Sequence, residues 1–405
     1  MCGTFGWLVA HSPAYGGITM AMASGAKRTR HKHKHVPVPA AAVPVPVPAE
    51  ARQTRSRTAA PGAPLPLLVV VLAGNPATTA AVLTLLDTVD ATALRRLHPA
   101  VAAAVSAVPW CDQITRVRNV VRWRAAFPAA TGAWLARLGP TPAATAAALA
   151  GLTYLDVSEG CYESVTDDAI RLLPPTLQTL DLSTCIGMTN AASFAHLTAL
   201  VTLNCSFTNV GKAAIATLPP SLQVLHAAHC CVSTGVDFRH LSALRTLDYR
   251  QFNTSVCGSC LPSSLEVIAL ERIDIEPDAA PLAHLAALRT LSLFCCPVPA
   301  SVLASLPPSI EVLTLIECTG LAASSFPPLP ALRRLRCKRT DISDATIATL
   351  PPSLTQLTVE KCAALTPAAR LDHLVNLTML TYSGTALAPS TLDACRARGC
   401  AIVGQ

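Results

Sequence analysis

A short leucine phrase recurs through the second half of the sequence and constrains the fold more than any other feature. The pattern Leu-x-x-Leu-x-Leu begins eleven times, once with Ile, at spacings of 21 to 25 residues. A unit of this length cannot bury its own leucines, so neighbouring units must stack into a shared core. The sequence therefore predicts a solenoid. The pattern begins at Leu152, Leu177, Leu200, Leu222, Leu244, Leu265, Leu288, Ile310, Leu332, Leu354 and Leu377.

Each unit predicts one short strand with two different faces. Because side chains alternate along a strand, Leu180 and Leu182 point inward while Thr179, Asp181 and Ser183 point outward. Over about 152–400 these units resemble the leucine-rich repeat family. The resemblance implies an α/β solenoid, a horseshoe of about eleven repeats with a parallel sheet on its concave face. It also implies that the concave face binds a protein partner.

Five residues after the second leucine of the pattern stands a cysteine or a threonine. In leucine-rich repeats such a side chain bonds main-chain groups where the chain leaves the strand, so the resemblance implies a structural role. The resemblance extends to the cysteine-containing subclass found in F-box/leucine-rich-repeat proteins. The residues at this place are Cys185, Cys230, Cys296, Cys318 and Cys362, with Thr208, Thr340 and Thr385.

A proline phrase precedes every second repeat. "LPPTL" at 173, "LPPSL" at 218 and 350, "LPSSL" at 261 and "LPPSI" at 306 alternate with phrases such as "HLTAL" and "HLSAL". The true unit is therefore a pair of repeats of about 44 residues. Since proline ends a helix and favours an extended residue before it, the prolines are predicted to direct the chain into the next strand.

Residues 1–62 differ from the rest of the chain. They hold eight basic residues and one acid, which accounts for the whole net charge of +7, while 63–405 hold 23 of each sign. Alternating Pro and Val favour an extended, disordered tail. Residues 27–34 leave open a nuclear-localisation or nucleic-acid patch, or simply a solvated tail, and nucleic-acid association would rest on residues 27–57. Nucleic-acid binding by the neutral body is not expected, and three nearby histidines, His31, His33 and His35, are not expected to hold a metal.

Residues 63–150 do not follow the repeat and predict a small helical domain. Helices are expected after Asp90, across about 112–128, and from Thr141-Pro142. The segment resembles an F-box, which implies docking on a ubiquitin-ligase adaptor. The alternative is a cap that shields the core of the first repeat. The F-box resemblance rests on Leu65, Pro66, Leu86, Asp87, Asp90, Leu94, Leu97, Val101 and Trp110. Residues 151–405 form the predicted leucine-rich-repeat domain.

The sequence carries no recognisable catalytic or cofactor motif. It lacks a phosphate-binding glycine loop, a zinc-protease motif and a nucleophile elbow. The pair Cys257 and Cys260 has no second ligand pair at zinc-site spacing and is expected to be two loop cysteines. We expect no enzyme activity, no cofactor and no metal. The absence of a long apolar run and of a secretory leader favours a chain with reduced thiols in the cytoplasm or nucleus.

Two clusters on the predicted concave face are candidates for partner binding. One combines histidines with an acid and an arginine on neighbouring strands, and the other is a basic run beside Glu360. The basic run suits an acidic peptide or a phosphate group; alternatively, the charges form ordinary cross-strand ion pairs with Glu317 and Glu360. The candidate residues are His226, His229, Asp248 and Arg250, and Arg334, Arg336, Lys338, Arg339, Glu360 and Lys361.

Overall fold

The structure, a computed structural model, describes residues 67–138, 141–158, 164–231, 235–276 and 281–404. These residues belong to one compact unit, Pro64–Gln405. The predictions for 1–62, including the disordered tail, the nucleic-acid patch and the three histidines, lie outside the described residues. Leu65 and Pro66 of the F-box resemblance lie outside them as well.

Over the described residues the sheet has 14 strands in sequence order, each parallel to its neighbours. This all-parallel solenoid confirms the leucine-rich-repeat fold. The strands are β1 Cys111–Val117, β2 Gly132–Leu135, β3 Tyr154–Asp156, β4 Thr179–Asp181, β5 Thr202–Asn204, β6 Val224–His226, β7 Thr246–Val256, β8 Val267–Ile275, β9 Thr290–Phe294, β10 Val312–Ile316, β11 Arg334–Lys338, β12 Gln356–Glu360, β13 Met379–Ser383 and β14 Ala401–Gly404.

The leucines of successive strands stack in register to form one core. Leu225 on β6 lies opposite Leu247 on β7, which lies opposite Ile268 on β8. All three side chains are fully buried. In β9 to β12 buried and partly exposed residues alternate, as the strand period requires. Neighbouring repeats therefore bury one another's apolar side chains, which removes apolar surface from water.

Short helices occupy several of the segments between strands. Thr166 and Ser343 each accept a hydrogen bond from a main-chain N–H in the first turn of the helix that follows, and so cap that helix. None of the helices in the described part of the chain is long and apolar enough to cross a membrane. The helices are α1 Leu67–Gly74, α2 Pro76–Leu83, α3 Thr88–Leu97, α4 Pro99–Ala107, α5 Val120–Ala126, α6 Pro142–Leu149, α7 Asp167–Arg171, α8 Lys212–Ile215, α9 Ala300–Ala304, α10 Asp344–Ile347 and α11 Pro389–Ala397.

The cysteine that follows a strand hydrogen-bonds the main chain, as its place in the repeat implies. The thiol of Cys318 donates to the carbonyls of Leu293, in the preceding repeat, and Ile316, at distances of 3.4 and 3.5 Å. Burial raises the pKa of this thiol to about 12, which keeps the donated proton in place. In another repeat Thr385 makes the same two kinds of bond, to Val359 and Ser383. Cysteine and threonine therefore fill one structural role.

The serine of the proline phrase makes a matching contact at the start of the strand. The hydroxyl of Ser309 donates to the carbonyl of Leu288, the first leucine of the preceding repeat, at 2.8 Å. Ser221, Ser264 and Ser353 donate in the same way to the leucine that begins the repeat before them. The bond recurs once per pair of repeats, which explains why the serine is part of the proline phrase.

The helix predicted across 112–128 is wrong in its first half. Residues Cys111–Val117 form a strand that pairs with β2, and the helix α5 begins only after Asn119, which caps it. The reason lies in the tertiary structure: β1 pairs with β2, and Asp112, which is 1% exposed, accepts a hydrogen bond from the N–H of Thr88 at the start of α3. Tertiary contacts of this kind outweigh a local helical pattern.

The first helices pack on the same core as the repeats. Ala91 on α3 and Val101 and Val105 on α4 are fully buried, in one apolar cluster with the leucines of the sheet. The segment predicted as a separate helical domain thus carries the first two strands of the sheet as well. Asp87, and not Asp90, caps α3 by accepting a hydrogen bond from the N–H of Asp90.

Substitutions at two buried positions, Cys318 and Val359, test the role of the cysteine. Cys318→Thr should keep the free energy of unfolding within about 1 kcal/mol of the wild type, since threonine fills the same place elsewhere. Cys318→Val should lose about 1 kcal/mol with its hydrogen bonds. At Val359, which points into the core and is 1% exposed, threonine should instead cost about 1–3 kcal/mol. Urea unfolding followed by circular dichroism measures all three. Equal stability of wild type and Cys318→Val would contradict the assigned role.

Candidate binding surface

The strand side chains that do not enter the core form one polar face, which we call the open face. It corresponds to the face predicted as concave. Its residues on β4 and β5 are all partly exposed, and Asn204 donates a hydrogen bond to Asp181 on the neighbouring strand at 2.9 Å. The seven outward residues first expected here are all partly exposed: Thr179, Asp181, Ser183, Thr202, Asn204, Thr290 and Ser292.

The predicted histidine cluster surrounds an open depression of about 440 Å³. His226 and Asp248 lie in register on β6 and β7, with 3.7 Å between Nδ1 and the nearer carboxylate oxygen. Arg250 donates two hydrogen bonds to the same carboxylate, at 2.5 and 2.6 Å. The ring of His229 lies 4.8 Å from that of Phe207, which is 54% exposed. The structure therefore brings all four predicted residues to one place and adds Phe207.

Neighbouring side chains stabilise the ionised form of Asp248. Burial acts to raise the pKa of this carboxyl, but the two hydrogen bonds from Arg250 and the nearby ring of His226 outweigh it and lower the pKa from an ordinary value of 3.8 to about 2. At His229, by contrast, burial is the largest effect and lowers the pKa of the imidazole. Asp248 is therefore a fixed anion that orients Arg250 across the open face.

Three of the predicted residues lie at the edge of the open face where the strands end, and not on the face itself. His229, Arg339 and Lys361 have φ values of 54°, 50° and 53°, in the left-handed region. This conformation is costly for residues with a side chain. It lets each N–H donate to a carbonyl of the next strand: His229 to Arg250, Arg339 to Glu360 and Lys361 to Ser383. The side chains leave the strand direction as a result.

The basic run is centred on β11. Arg334, Arg336 and Lys338 occupy alternate positions of this strand and are all on the open face, with Arg334 the most exposed. Glu360 on β12 lies 3.5 Å from Arg336 and 3.3 Å from Lys338. Glu317 instead pairs with Arg339, at 2.7 Å. Arg336 was expected within reach of either acid, and the structure places it beside Glu360.

A second set of charged residues lies where the strands begin, and it was not predicted from the sequence. A charged residue stands immediately before each of the strands β7 to β11, and basic and acidic residues alternate from strand to strand. We call these five residues the leading-edge ladder: Arg245, Glu266, Arg289, Glu311 and Arg333. Arg245 pairs with Glu266, and Arg289 pairs with Glu311. Arg333 completes the alternation and donates to the carbonyl of Ser353 at 3.1 Å. The signal in the sequence is a charge at a fixed place in consecutive repeats.

No described cluster has the composition of a metal site. Among residues of the described ranges, no three histidine, cysteine or acidic side chains are placed to hold one ion. Cys257 precedes a short 3₁₀ helix, Gly258–Cys260, of which Cys260 is the last residue, and the thiol of Cys257 lies 2.9 Å from the hydroxyl of Ser259. No cysteine in the described ranges takes part in a disulfide.

Comparison with known proteins gives distant structural likenesses. No protein-family model and no curated protein matches this sequence. An internalin of Listeria monocytogenes is 16% identical, with a TM-score of 0.47, over 71% of this chain and 77% of its own. A leucine-rich-repeat protein of Leptospira interrogans is 14% identical, with a TM-score of 0.46, over 83% of this chain and 98% of its own. YopM of Yersinia enterocolitica is 21% identical, with a TM-score of 0.41, over 64% and 51%.

Asp248→Asn should destabilise the protein by about 1–2 kcal/mol at pH 7, because the lowered pKa reflects carboxylate contacts made only in the folded state. A lowered pKa stabilises above the ordinary value and loses its effect as the pH falls. The difference between wild type and variant should therefore be full above about pH 4 and disappear towards pH 2. Urea unfolding at several pH values measures it.

The matched control is Asp393→Asn. Asp393 pairs with Arg396 but is 70% exposed, so its removal should change stability by less than about 0.5 kcal/mol. A loss at Asp248 that is independent of pH would contradict the electrostatic origin of the effect.

Proposed function

We propose that this chain is a protein-binding module that holds a segment of a partner protein on its open face, without catalysis. One observation carries the proposal: the sheet presents outward side chains in fixed register on 14 parallel strands of the described residues. Neighbouring strands are about 4.8 Å apart, so these side chains form a rigid grid. A preorganised surface loses little conformational freedom on binding.

The two clusters supply the chemistry for such binding. The depression combines an exposed aromatic ring, Phe207, with Arg250 and the fixed anion Asp248, and aromatic and arginine side chains are frequent anchors of protein interfaces. The basic run on β11 lies four strands away, roughly 19 Å across the sheet at ordinary strand spacing. A partner that spans both clusters would cover an area typical of specific protein interfaces.

Blocking the open face tests this proposal. Ligands are first selected from a displayed library of peptides and small domains on the immobilised full-length protein. Thr290→Arg with Thr314→Arg places two long side chains on the neighbouring strands β9 and β10 of the open face, where the threonines are diagonal neighbours because Thr290 lies opposite Val312 and Thr314 opposite Ser292. Most selected ligands should lose at least about tenfold in affinity, because steric exclusion of even part of an interface exceeds 1.4 kcal/mol.

The control carries the same charge change outside the sheet. Ala213→Arg and Ala304→Arg alter exposed positions of α8 and α9, and binding should change by less than about twofold. If the helix variant reduces binding as strongly as the sheet variant, or neither does, the open face is not the binding surface.

A second candidate function, docking of the helical segment on a ubiquitin-ligase adaptor, has one observation in its favour. Helices that only seal a core have no need of exposed apolar side chains, yet this segment has several. Leu85, Val89 and Leu97 are 82%, 62% and 57% exposed. The burial of Ala91, Val101 and Val105 supports the capping role at the same time. The chain would then present proteins held on the open face to the ligase.

Charged substitutions at the exposed positions separate docking from capping. Leu85→Glu, Val89→Glu and Leu97→Glu together should leave the unfolding midpoint nearly unchanged, since these side chains face water. They should abolish binding of a purified adaptor subunit measured by calorimetry. Val375→Glu with Val403→Glu, also at exposed positions, is the control and should bind normally. If the wild-type chain shows no affinity for the adaptor, the segment acts only as a cap.

A further inference from the structure

The strand β11 concentrates positive charge on the open face. Within five residues it places Arg334, Arg336 and Lys338 on one side of the sheet. In register with Arg334, the neighbouring strands carry a valine and a glutamine, and in register with Arg336 they carry threonines. Glu360, in register with Lys338, is the one carboxylate opposite these cations in the two adjoining strands. Three cations therefore share one acid.

The leading-edge ladder shows how the same repeats treat charges that serve the fold. There two of the three cations have an acid of their own, since Arg245 pairs with Glu266 and Arg289 with Glu311, while Arg333 donates to the carbonyl of Ser353. On β11 the balance is different, although like charges close together on one face are unfavourable. The Nε atom of Arg336 is also buried and has no acceptor among the described residues. The chain does not itself complete the interactions of this strip.

We propose that Arg334, Arg336 and Lys338, the basic strip, bind an acidic segment of the partner protein whose carboxylates stand on alternate residues. This deepens the proposed function and rests on it. Alternate residues of a strand are about 6.6 Å apart. An extended ligand that runs along β11 has the same repeat, so acids at positions i, i+2 and i+4 meet the three cations in turn.

The side chains of the strip suit carboxylates. A guanidinium forms two parallel hydrogen bonds to one carboxylate, and it is more weakly hydrated than the ammonium of lysine. Thr314 and Thr358 flank Arg336 on both sides and add hydroxyl donors to the same place. The strip therefore offers two arginine positions for strong pairing and a lysine for the third charge.

Glu360 has a defined part in this arrangement. Because it lies within 3.5 Å of both Arg336 and Lys338, it occupies the place of a ligand carboxylate. It competes with the ligand and keeps the strip partly neutral when no ligand is bound. Removal of its charge should consequently strengthen binding of an acidic segment, whereas a purely structural ion pair predicts no such gain.

The test measures fluorescence anisotropy of labelled peptides with the full-length protein. One peptide carries three glutamates on alternate residues separated by serine, and a second has the same composition with the glutamates consecutive. A third peptide carries phosphoserine on the alternate residues, and a single-stranded oligonucleotide of equal charge is the fourth probe. The alternating glutamate peptide should bind best, with an affinity that falls as salt screens the charges.

The variants isolate the strip from the overall charge. Arg334→Gln, Arg336→Gln and Lys338→Gln together should weaken the alternating peptide at least about tenfold. Arg245→Gln, Arg289→Gln and Arg333→Gln remove the same net charge from the leading-edge ladder and should change it less than about twofold. The basic tail is common to both proteins and cannot cause the difference. Glu360→Gln should strengthen binding about threefold, and its control Glu311→Gln should not.

The proposal is overturned if the two glutamate peptides bind alike, if the phosphoserine peptide or the oligonucleotide binds better than either, or if the two triple variants weaken binding equally. The proposed function does not fall with it, since ligands selected from the library remain sensitive to the Thr290→Arg and Thr314→Arg block. If the selected ligands ignore that block, the proposed function fails, whatever the peptides do.

Discussion

The fold depends on side chains that donate hydrogen bonds from one repeat to the main chain of the repeat before it. The strands β4, β5 and β6 have only three residues each, so the sheet alone supplies few bonds per repeat. At the strand end a cysteine or threonine reaches the preceding repeat, as Cys318 reaches Leu293. At the strand start a serine does so, as Ser309 reaches Leu288. Each such bond links two neighbouring repeats in addition to the hydrogen bonds of the sheet, and a typical one contributes about 1 kcal/mol.

Contacts between neighbouring repeats explain which parts of the fold could be predicted from the sequence. Leucine spacing encodes the stacking directly, because every repeat makes the same contact with its neighbour. The role of the serine was not visible, since its acceptor lies 21 residues earlier in the chain. The strand at 111–117 was missed for a similar reason. It pairs with β2, through Cys111 with Gly132 and Val117 with Leu135, and a local helical pattern carries no information on such contacts.

On the candidate surface, too, the sequence predicted what depends on strand period and register, but not what depends on contacts with the next strand. Strand alternation placed His226 beside Asp248 and put Arg334, Arg336 and Lys338 on one face, since these are consequences of period and register. The left-handed conformation of Arg339 and Lys361 did not follow from their residue types. It is imposed by the next strand, whose carbonyls receive their N–H groups. Arg339 consequently lies outside the basic strip and pairs with Glu317.

The separation of inward and outward residues leaves the open face free to vary. Leu335 and Cys337, between the cations of β11, are buried and fix the strand in the core, so the outward side chains can change without loss of packing. Packing of the fold therefore does not require the excess of positive charge on β11. Along the leading edge Arg245 and Arg289 each pair with an acid of their own, which shows that one-to-one pairing is attainable in this architecture. The imbalance on β11 is accordingly the feature that the proposed acidic ligand would complete.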